Sequence, residues 1–222
     1  MKPSTVPSVT PPASANQPAR GPSGHRSLVL GSTSRYRAEL LQRLRIPFEI
    51  SAPDVDETPL QGETPATLAT RLALDKARAV ARNWPAAVVI GADQVADLNG
   101  LPLGKPGDHT RATGQLRQMR GKTVIFQTAV AVVCLETGFE QGSLAAVRVK
   151  FRDLSDDEIE SYLLAEQPYD CAGSAKSEGL GIALLESINS DDPTALVGLP
   201  LIRTCTLLRA AGITLLSGGA SA

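Results

Sequence analysis

The sequence lacks the residues and runs that define several classes of protein. It has only three cysteines, Cys134, Cys171 and Cys205, which lie far apart with no CxxC spacing. A disulfide framework or a structural zinc site needs more cysteines at closer spacing, so we expect three buried thiols in a reducing compartment. No apolar run approaches the roughly 20 residues that cross a bilayer, so we expect no membrane partner.

The first 25 residues lack leucine, isoleucine and aromatic side chains and are rich in proline, serine and alanine. Such a segment buries too little apolar surface to fold, and it has no apolar core for a signal peptide. We therefore predict a disordered tail over 1–25, a folded domain over 26–214, a flexible end over 215–222 and a cytoplasmic protein. A polyproline ligand for a partner is the alternative for the tail.

No large excess of charge of either sign is present, because the formal net charge of the 222 residues is −1. The cations of residues 1–26 leave the remaining chain about 4 negative. A surface that binds duplexes is normally strongly basic, so we expect no nucleic-acid partner.

Strand-like and helix-like segments alternate along the folded part of the chain. An apolar run over 28–30 precedes a helical pattern, and Thr64 and Pro65 provide an N-cap and first-turn proline for a long helix. Further elements are strands over 87–91, 122–134 and 143–152, a hairpin turn at Asn99-Gly100, helices beginning near 110, 155 and 200, and an extended segment over 169–184. This pattern predicts an α/β fold on a mixed twisted sheet with flanking helices.

The segment 31–37, Gly-Ser-Thr-Ser-Arg-Tyr-Arg, lies between the first predicted strand and the first helix. Backbone N–H groups and hydroxyls at such a place can converge on phosphate oxygens, and Arg37 can bind them bidentately. The alternative is an ordinary helix N-cap with solvated arginines.

Carboxylates are concentrated in the loop 52–64, as Asp54, Asp56 and Glu57, and Asp93 follows a fully apolar strand. A magnesium ion on phosphates takes one or two protein carboxylates, and a nearby acid can accept a proton from attacking water. Asp93 is the more telling residue, because α/β proteins bind ligands at strand ends. The alternative is that these acids are solvated loop residues.

Three lysines lie next to small residues: Lys76 in the long helix, Lys105 in Gly-Lys-Pro and Lys176 in Ala-Lys-Ser-Glu-Gly. Phosphoryl transfer needs positive charge to offset the charge of the transferred group and of its leaving group. Solvated surface lysines are the alternative, and spacing alone does not bring the three together.

Six segments in this order resemble the Maf-type nucleotide pyrophosphatases: GSTSRYRAELL, APDVDET, DKA, IGADQV, GKP and CAGSAKSEGLG. The resemblance extends from about Leu28 to Gly212. It implies an α/β fold similar to that of ITP pyrophosphatases, with two lobes around a central cleft. It also implies hydrolysis of a nucleoside triphosphate to the monophosphate and pyrophosphate, with a divalent metal ion, Mg²⁺ or Mn²⁺.

The resemblance also assigns roles to individual residues. The catalytic acid corresponds to Asp93, and Asp93 with Glu57 corresponds to the metal-binding acids. The phosphate-binding positions of the family correspond to Ser32, Arg37, Lys76, Lys105 and Lys176. Arg35 departs from the pattern, because family members commonly have proline there, and proline would fix φ in this loop.

Three positions resemble the branch of the family that acts on 7-methyl-GTP: an aromatic at Tyr36, Gln94 after the catalytic acid, and Glu178. N7-methylation makes guanine cationic, and an aromatic ring then attracts the base by ~1–2 kcal/mol. The Glu178 carboxylate can accept from both N1–H and the exocyclic amine of guanine. The branch commonly has tryptophan where Tyr36 stands, and a smaller ring predicts weaker stacking or a broader substrate range. Packing of Tyr36 and a solvated Glu178 are the alternatives.

The resemblance therefore predicts an enzyme that hydrolyses 7-methyl-GTP and removes modified nucleotides from the pool. One alternative is a pyrophosphatase for dTTP, UTP, GTP or other nucleotides. Another is a nucleotide-binding regulator of cell division with incidental hydrolysis. The expected partner is the nucleotide alone, with a homodimer as a further prediction.

Overall fold

The computed structural model describes residues 26–216, so the predicted tail over 1–25 and residues 217–222 of the predicted flexible end lie outside the described residues. The strands are β1 (Leu28–Gly31), β2 (Glu49–Ile50), β3 (Val88–Leu98), β4 (Leu101–Leu103), β5 (Thr123–Cys134), β6 (Phe139–Phe151) and β7 (Leu185–Asn189). The helices are α1 (Arg35–Gln42), α2 (Pro65–Ala81), α3 (His109–Met119), α4 (Asp156–Glu166) and α5 (Leu201–Ala210).

One mixed sheet contains all of these strands, which confirms the predicted fold class. Its order is β2-β1-β3-β5-β6-β7, and β4 pairs with the end of β3. β1 runs parallel to β2 and β3, whereas the pairs of β3 with β4 and β5, β5 with β6, and β6 with β7 are antiparallel. The long strands β3, β5 and β6 therefore connect the two ends of the molecule.

The helices divide between those two ends. α1 and α5 pack on one face of the sheet and α2 on the opposite face, where each contributes to an apolar cluster with β1, β3 and β5. α3 and α4 form a third cluster on the far part of β5 and β6. The first two clusters form one lobe and the third forms the other, as the resemblance implied. The cleft lies between the two lobes.

β3 is longer than the sequence predicted, and that correction bears on the site. The apolar run indicated a strand that ends at Gly91, but β3 continues to Leu98 because it pairs with β5 along its whole length. β1 ends at Gly31 opposite Gly91, and pairing with β4 begins only at Ala96. Among the described residues, positions 92–95 therefore have no neighbouring strand on this edge, and Asp93 lies there.

α2 lies unusually close to β3. Its N-terminus forms as predicted, with Pro65 in the first turn and the Thr64 side chain accepting a hydrogen bond from Thr67 N. A Cβ atom at Gly91 would lie 2.2 Å from the backbone oxygen of Ala73, so only glycine permits this approach. The close packing places Lys76, one turn further along α2, against the middle of β3.

Other local predictions had mixed outcomes. The helix start at Ser155 is confirmed by a capping box with Glu158, and the Asn99-Gly100 turn is confirmed between β3 and β4. The extended segment over 169–184 is wrong, because 3₁₀ turns form over Ala172–Ser174 and Leu180–Leu184. Gly173 has φ +66°, a conformation that favours glycine and turns the chain within the first of these segments.

The cysteine prediction is correct for Cys134 and wrong for the burial of Cys171 and Cys205, which are partly exposed; all three are free thiols. None of the helices that the structure describes is both long enough and apolar enough to span a membrane.

Candidate active site

A cleft of about 950 Å³ opens beside the unpaired edge of β3. Its walls come from both lobes: the loop after β1, the loop before α2, α2 itself, β3, the loop after β4, and the segments around 170–178 and 196–198. Nine of the ten predicted site residues line it: Ser32, Tyr36, Arg37, Glu57, Lys76, Asp93, Gln94, Lys105 and Glu178. Residues that lie far apart in the sequence therefore share one cavity.

An ammonium group between two carboxylates forms the centre of the cleft. Lys76 Nζ lies 2.6 Å from Asp93 Oδ1 and 2.6 Å from Glu57 Oε1. The side chains of Lys76 and Asp93 are 7% and 10% exposed, whereas that of Glu57 is 58% exposed. The buried pair fixes the Asp93 carboxylate on β3, and Glu57 closes the group from the solvent side.

The charges around Glu57 keep it ionised. Burial acts to raise the pKa of Glu57, but the hydrogen bond and charge of Lys76, together with Lys105 and Arg37, outweigh it and hold the pKa below its ordinary value. Lys105 lies on the exposed loop after β4 and brings a positive charge to the same space. Around Glu57, the carboxylates of Glu57 and Asp93 and the cations of Lys76, Lys105 and Arg37 thus share one part of the cleft, as a site for a polyphosphate requires.

The loop after β1 presents a hydroxyl and a guanidinium. Ser32 is 4% exposed, and its Oγ accepts hydrogen bonds from Ser34 N at 3.2 Å and from Arg37 at 3.3 Å. Arg37 Nε donates to the backbone oxygen of Gly198 at 2.9 Å and its Nη1 makes the contact with Ser32, so the guanidinium is held between the two loops. Gly198 has φ +118°, a conformation that favours glycine. Burial lowers the pKa of Arg37, and the nearby Asp93 and Glu57 oppose this.

The donor set suits a divalent cation. Asp93 and Glu57 already converge on the positive charge of Lys76, and Mg²⁺ in phosphate sites takes one or two carboxylates with waters and phosphate oxygens. Over residues 26–216, no group of three or more His, Cys, Asp and Glu side chains could hold a metal. The two carboxylates fit instead a divalent ion that shares its remaining ligands with phosphate oxygens and waters.

Another wall of the cleft contains Tyr36 and Glu178. The Arg35 guanidinium lies 4.7 Å from the centroid of the Tyr36 ring and donates to its hydroxyl at 2.7 Å, so one face of the ring is covered. Cys171 also lines this wall, and burial raises the pKa of its thiol to about 12. Desolvation raises the pKa of Glu178, partly opposed by Lys176.

Gln94 has a fixed orientation. Its Nε2 lies 2.9 Å from Thr128 Oγ1 and 3.0 Å from each of the backbone oxygens of Ala195 and Leu196. The two carbonyl oxygens only accept hydrogen bonds, so the amide must turn its nitrogen towards them. The Gln94 carbonyl oxygen therefore points away from this contact, on the side of the cleft that Gln94 lines.

Lys176 is the one predicted site residue that the structure does not bring into the cleft lining. Its ammonium pairs with Glu166, and Nζ lies 6.0 Å from the centroid of the Tyr36 ring. It thus lies next to Tyr36 but outside the cleft lining, apart from the loop of Ser32 and Arg37. Asp54 and Asp56 also fall outside the cleft lining, and Asp56 accepts a hydrogen bond from Thr58 N within its own loop.

The sequence analysis missed several residues of the site. Leu68 and Leu72 of α2 line the cleft, and the turn Ala195–Val197 with Gly198 holds Gln94 and Arg37. No polar motif marks this turn in the sequence, because its contribution is made by backbone oxygens. Thr128 was missed because it is buried in β5, and nothing in the sequence distinguishes it from a threonine that only packs in the core.

Comparisons with known proteins identify the family of the chain. The family model for Maf-like proteins matches residues 27–211. The chain is 80% identical over 190 residues to a 7-methyl-GTP pyrophosphatase of a Polaromonas species, covering 86% of this chain and 87% of that protein. It is 71% identical to the 7-methyl-GTP pyrophosphatase of Albidiferax ferrireducens, covering 86% and 96%.

A solved structure of a HAM1 protein from Coxiella burnetii aligns with 59% of this chain and 75% of that one, at 18% identity and a TM-score of 0.43. The family match spans nearly all of the described residues, and the curated relatives match at high identity over most of their own length. The chain therefore belongs to the family of Maf-like proteins.

Proposed function

We propose that this protein hydrolyses 7-methyl-GTP to 7-methyl-GMP and pyrophosphate and so removes a modified nucleotide from the pool. The observation that carries the proposal is the convergence in one cleft of a buried Lys76–Asp93 pair with the Ser32–Arg37 loop. The names of the relatives support the same substrate.

Asp93 supplies the general base. Lys76 binds Oδ1 of the carboxylate, so the other oxygen is left to take a proton from a water in the cleft. The deprotonated water attacks the α-phosphorus, the bond from that phosphorus to the bridging oxygen breaks, and pyrophosphate leaves. A positioned base of this kind contributes a factor of about 10²–10⁴ to the rate.

The cations of the cleft bind the phosphates. Arg37 and Ser32 offer N–H and O–H donors from the loop after β1, and Lys105 offers an ammonium from the opposite lobe. Charge that develops on the leaving pyrophosphate is stabilised by such fixed cations in a partly dry site. Lys76 contributes its positive charge while it holds the two acids.

We propose Mg²⁺ or Mn²⁺ as the cofactor, held by Asp93 and Glu57. When bound, the ion would neutralise phosphate charge and orient the phosphates for in-line attack. The side chains of the protein keep the tasks of binding, orientation and proton transfer described above.

The base is selected on the wall of Tyr36, Gln94 and Glu178. Guanine presents N1–H and its exocyclic amine side by side, and the Glu178 carboxylate and the fixed Gln94 oxygen are both acceptors. The positive charge of the N7-methylated ring is attracted by this carboxylate and by the aromatic ring of Tyr36. Uracil and thymine would leave an acceptor unpaired, at about 1–3 kcal/mol.

The test is pyrophosphate release by the purified protein with 7-methyl-GTP, GTP, dTTP, UTP and CTP, with Glu178→Gln alongside. We expect a preference for 7-methyl-GTP that falls about tenfold in the variant, because the new amide donates where the base also donates. Chelation of divalent ions should abolish release, and Mg²⁺ or Mn²⁺ should restore it. A wild-type preference for dTTP, UTP or GTP would favour the alternative substrates, and binding without release would favour the nucleotide-binding regulator.

Replacing Thr128 with valine should loosen the hold on Gln94. Valine keeps the shape of threonine but removes the hydroxyl that contacts Gln94 Nε2 and donates to the backbone oxygen of Ala195, so Gln94 and the turn that holds it each lose one hydrogen bond. We expect KM for 7-methyl-GTP to rise about threefold to tenfold at nearly unchanged kcat, as the loss of one hydrogen bond implies. Thr128→Ser keeps the hydroxyl and is the control. An equal effect of both substitutions would indicate altered packing instead.

We also propose that the protein works in the cytoplasm, where its nucleotide substrate is found, and that it needs neither a nucleic acid nor a membrane as partner. All of the residues assigned here come from a single chain. A homodimer stays a prediction, testable by sedimentation.

A further inference from the structure

The segment 176–180 contains Glu178 and is held from behind by the last residue of α4. Glu166 Oε1 accepts a hydrogen bond from the ammonium of Lys176, and Oε2 accepts one from Leu180 N at 2.8 Å. One carboxylate therefore binds both ends of a five-residue segment that has Glu178 at its centre. The side chains of Glu166 and Lys176 are only 15% and 21% exposed, so water screens this pair far less than a surface ion pair.

A second contact from α4 fixes the start of the same segment. The Tyr162 hydroxyl donates to the backbone oxygen of Ser174 at 3.1 Å and accepts from Lys176 N at 3.0 Å. Tyr162 is 3% exposed, so this bridge is part of the core. The backbone that leads into the segment is therefore held by a residue of α4 and not by residues that line the cleft.

Gly179 shows how closely the segment approaches Glu166. A Cβ atom added at Gly179 would lie 2.7 Å from Glu166 Oε2. Any other residue would force the segment and the Glu166 carboxylate apart, because Cβ contacts of this length do not occur. The close spacing between this segment and α4 thus depends on glycine at position 179.

The ammonium of Lys176 is already engaged in this contact. It pairs with Glu166, which holds the pKa of Lys176 above its ordinary value, and the residue is not part of the cleft lining. Its Nζ lies 6.0 Å from the centroid of the Tyr36 ring, which belongs to the wall proposed to select the base. The phosphate-binding groups Ser32 and Arg37 belong to the loop after β1.

We infer that Glu166 and Lys176 are positioning residues for base selection: their ion pair holds Glu178 in place, and Lys176 does not act on the phosphates. The inference rests on the proposed function, in which Glu178 binds the base. Breaking the pair should release the segment and misplace Glu178, while Asp93 and the phosphate-binding loop stay as they are.

The experiment measures binding of the two products separately, by calorimetry, with 7-methyl-GMP and with pyrophosphate as the probes. Glu166→Gln and Lys176→Met should each weaken 7-methyl-GMP binding about tenfold and leave pyrophosphate binding within about twofold. The double variant should be no weaker than either single one, because both remove the same contact. In turnover, KM for 7-methyl-GTP should rise while kcat is retained.

Three further variants make the result specific. Asp157→Asn changes an exposed acid in the first turn of α4 and should leave both affinities unchanged. Lys176→Arg retains a cation for Glu166 and should restore most of the 7-methyl-GMP affinity. Gly179→Ala displaces the segment without removing a charge and should reproduce the loss seen in Glu166→Gln, with thermal unfolding confirming that each variant is folded.

If Lys176→Met weakens the binding of pyrophosphate and of 7-methyl-GMP equally, the inference is overturned. That result would indicate that Lys176 binds the phosphates. Unchanged affinities in all pair-breaking variants would overturn it as well. If the wild-type protein itself fails to bind 7-methyl-GMP, the proposed function fails, and this outcome is visible before any variant is compared.

Discussion

Replacing Asp93 with asparagine should lower kcat for pyrophosphate release by about 10³-fold, within the range for loss of a positioned general base. Asparagine keeps the size of the side chain and an oxygen for Lys76, but it cannot accept a proton from water. Nucleotide binding should be retained, because Ser32, Arg37 and Lys105 lie on other elements. The measurement is kcat at saturating 7-methyl-GTP with a parallel binding titration.

Asp97→Asn is the matched control. Asp97 lies in the same strand, four residues further on, and its Oδ1 accepts from Gly100 N at 2.7 Å in the hairpin turn. It does not line the cleft, so the same chemical change should leave kcat within about twofold. If Asp93→Asn turns over as fast as the control, Asp93 is not the group that accepts the proton.

Replacing Lys76 with methionine should be the substitution that damages both stability and activity. It leaves the buried Asp93 carboxylate facing Glu57 without the ammonium that now lies between them. Loss of one partner from a buried ion pair costs about 3–5 kcal/mol, and we expect the lower end because Asp93 borders the open cleft. We also expect kcat to fall at least ~100-fold, because the charge that orients the two acids is lost.

The stability effect of Lys76→Met should depend on pH. In the wild type, the lowered pKa of Glu57 contributes stability that is present above its ordinary value of 4.5 and is lost as pH falls through the folded-state value. The variant lacks this contribution, so the difference in unfolding free energy should be widest at neutral pH and smaller near about pH 4. Urea unfolding at both pH values measures it.

Lys122→Met is the control for this series, because Lys122 is exposed and does not line the cleft. Its unfolding free energy should change by less than about 0.5 kcal/mol at either pH. A difference for Lys76→Met that is small and independent of pH would contradict the geometry of the two carboxylates around Lys76.

Features that depend on neighbours in the sequence could be predicted from it. The caps at Thr64 and Ser155 each involve a residue three positions later, so the pattern of letters already contains both partners. The turn at Asn99-Gly100 forms because both residues tolerate positive φ.

Features that depend on distant partners could not be predicted in the same way. The apolar run indicated that the strand ends before Asp93, but pairing of Gln94 with Thr128 and of its neighbours with β5 extends it to Leu98. Lysine spacing carries no sign of a partner, so Lys76 and Lys176 looked alike. The fold separates them, since Lys76 lies between two acids in the cleft, whereas Lys176 pairs with Glu166 outside the cleft lining.

The sequence by itself determined the class of fold, the strand–loop–helix that begins the domain, and, through its resemblance to a family, the set of residues to examine. Only the tertiary structure decided which of those residues share a cavity and what each side chain contacts. The reason is physical: caps, turns and periodicity arise from neighbours within a few positions, whereas the site exists because β1 ends at Gly31 while β3 continues beside it.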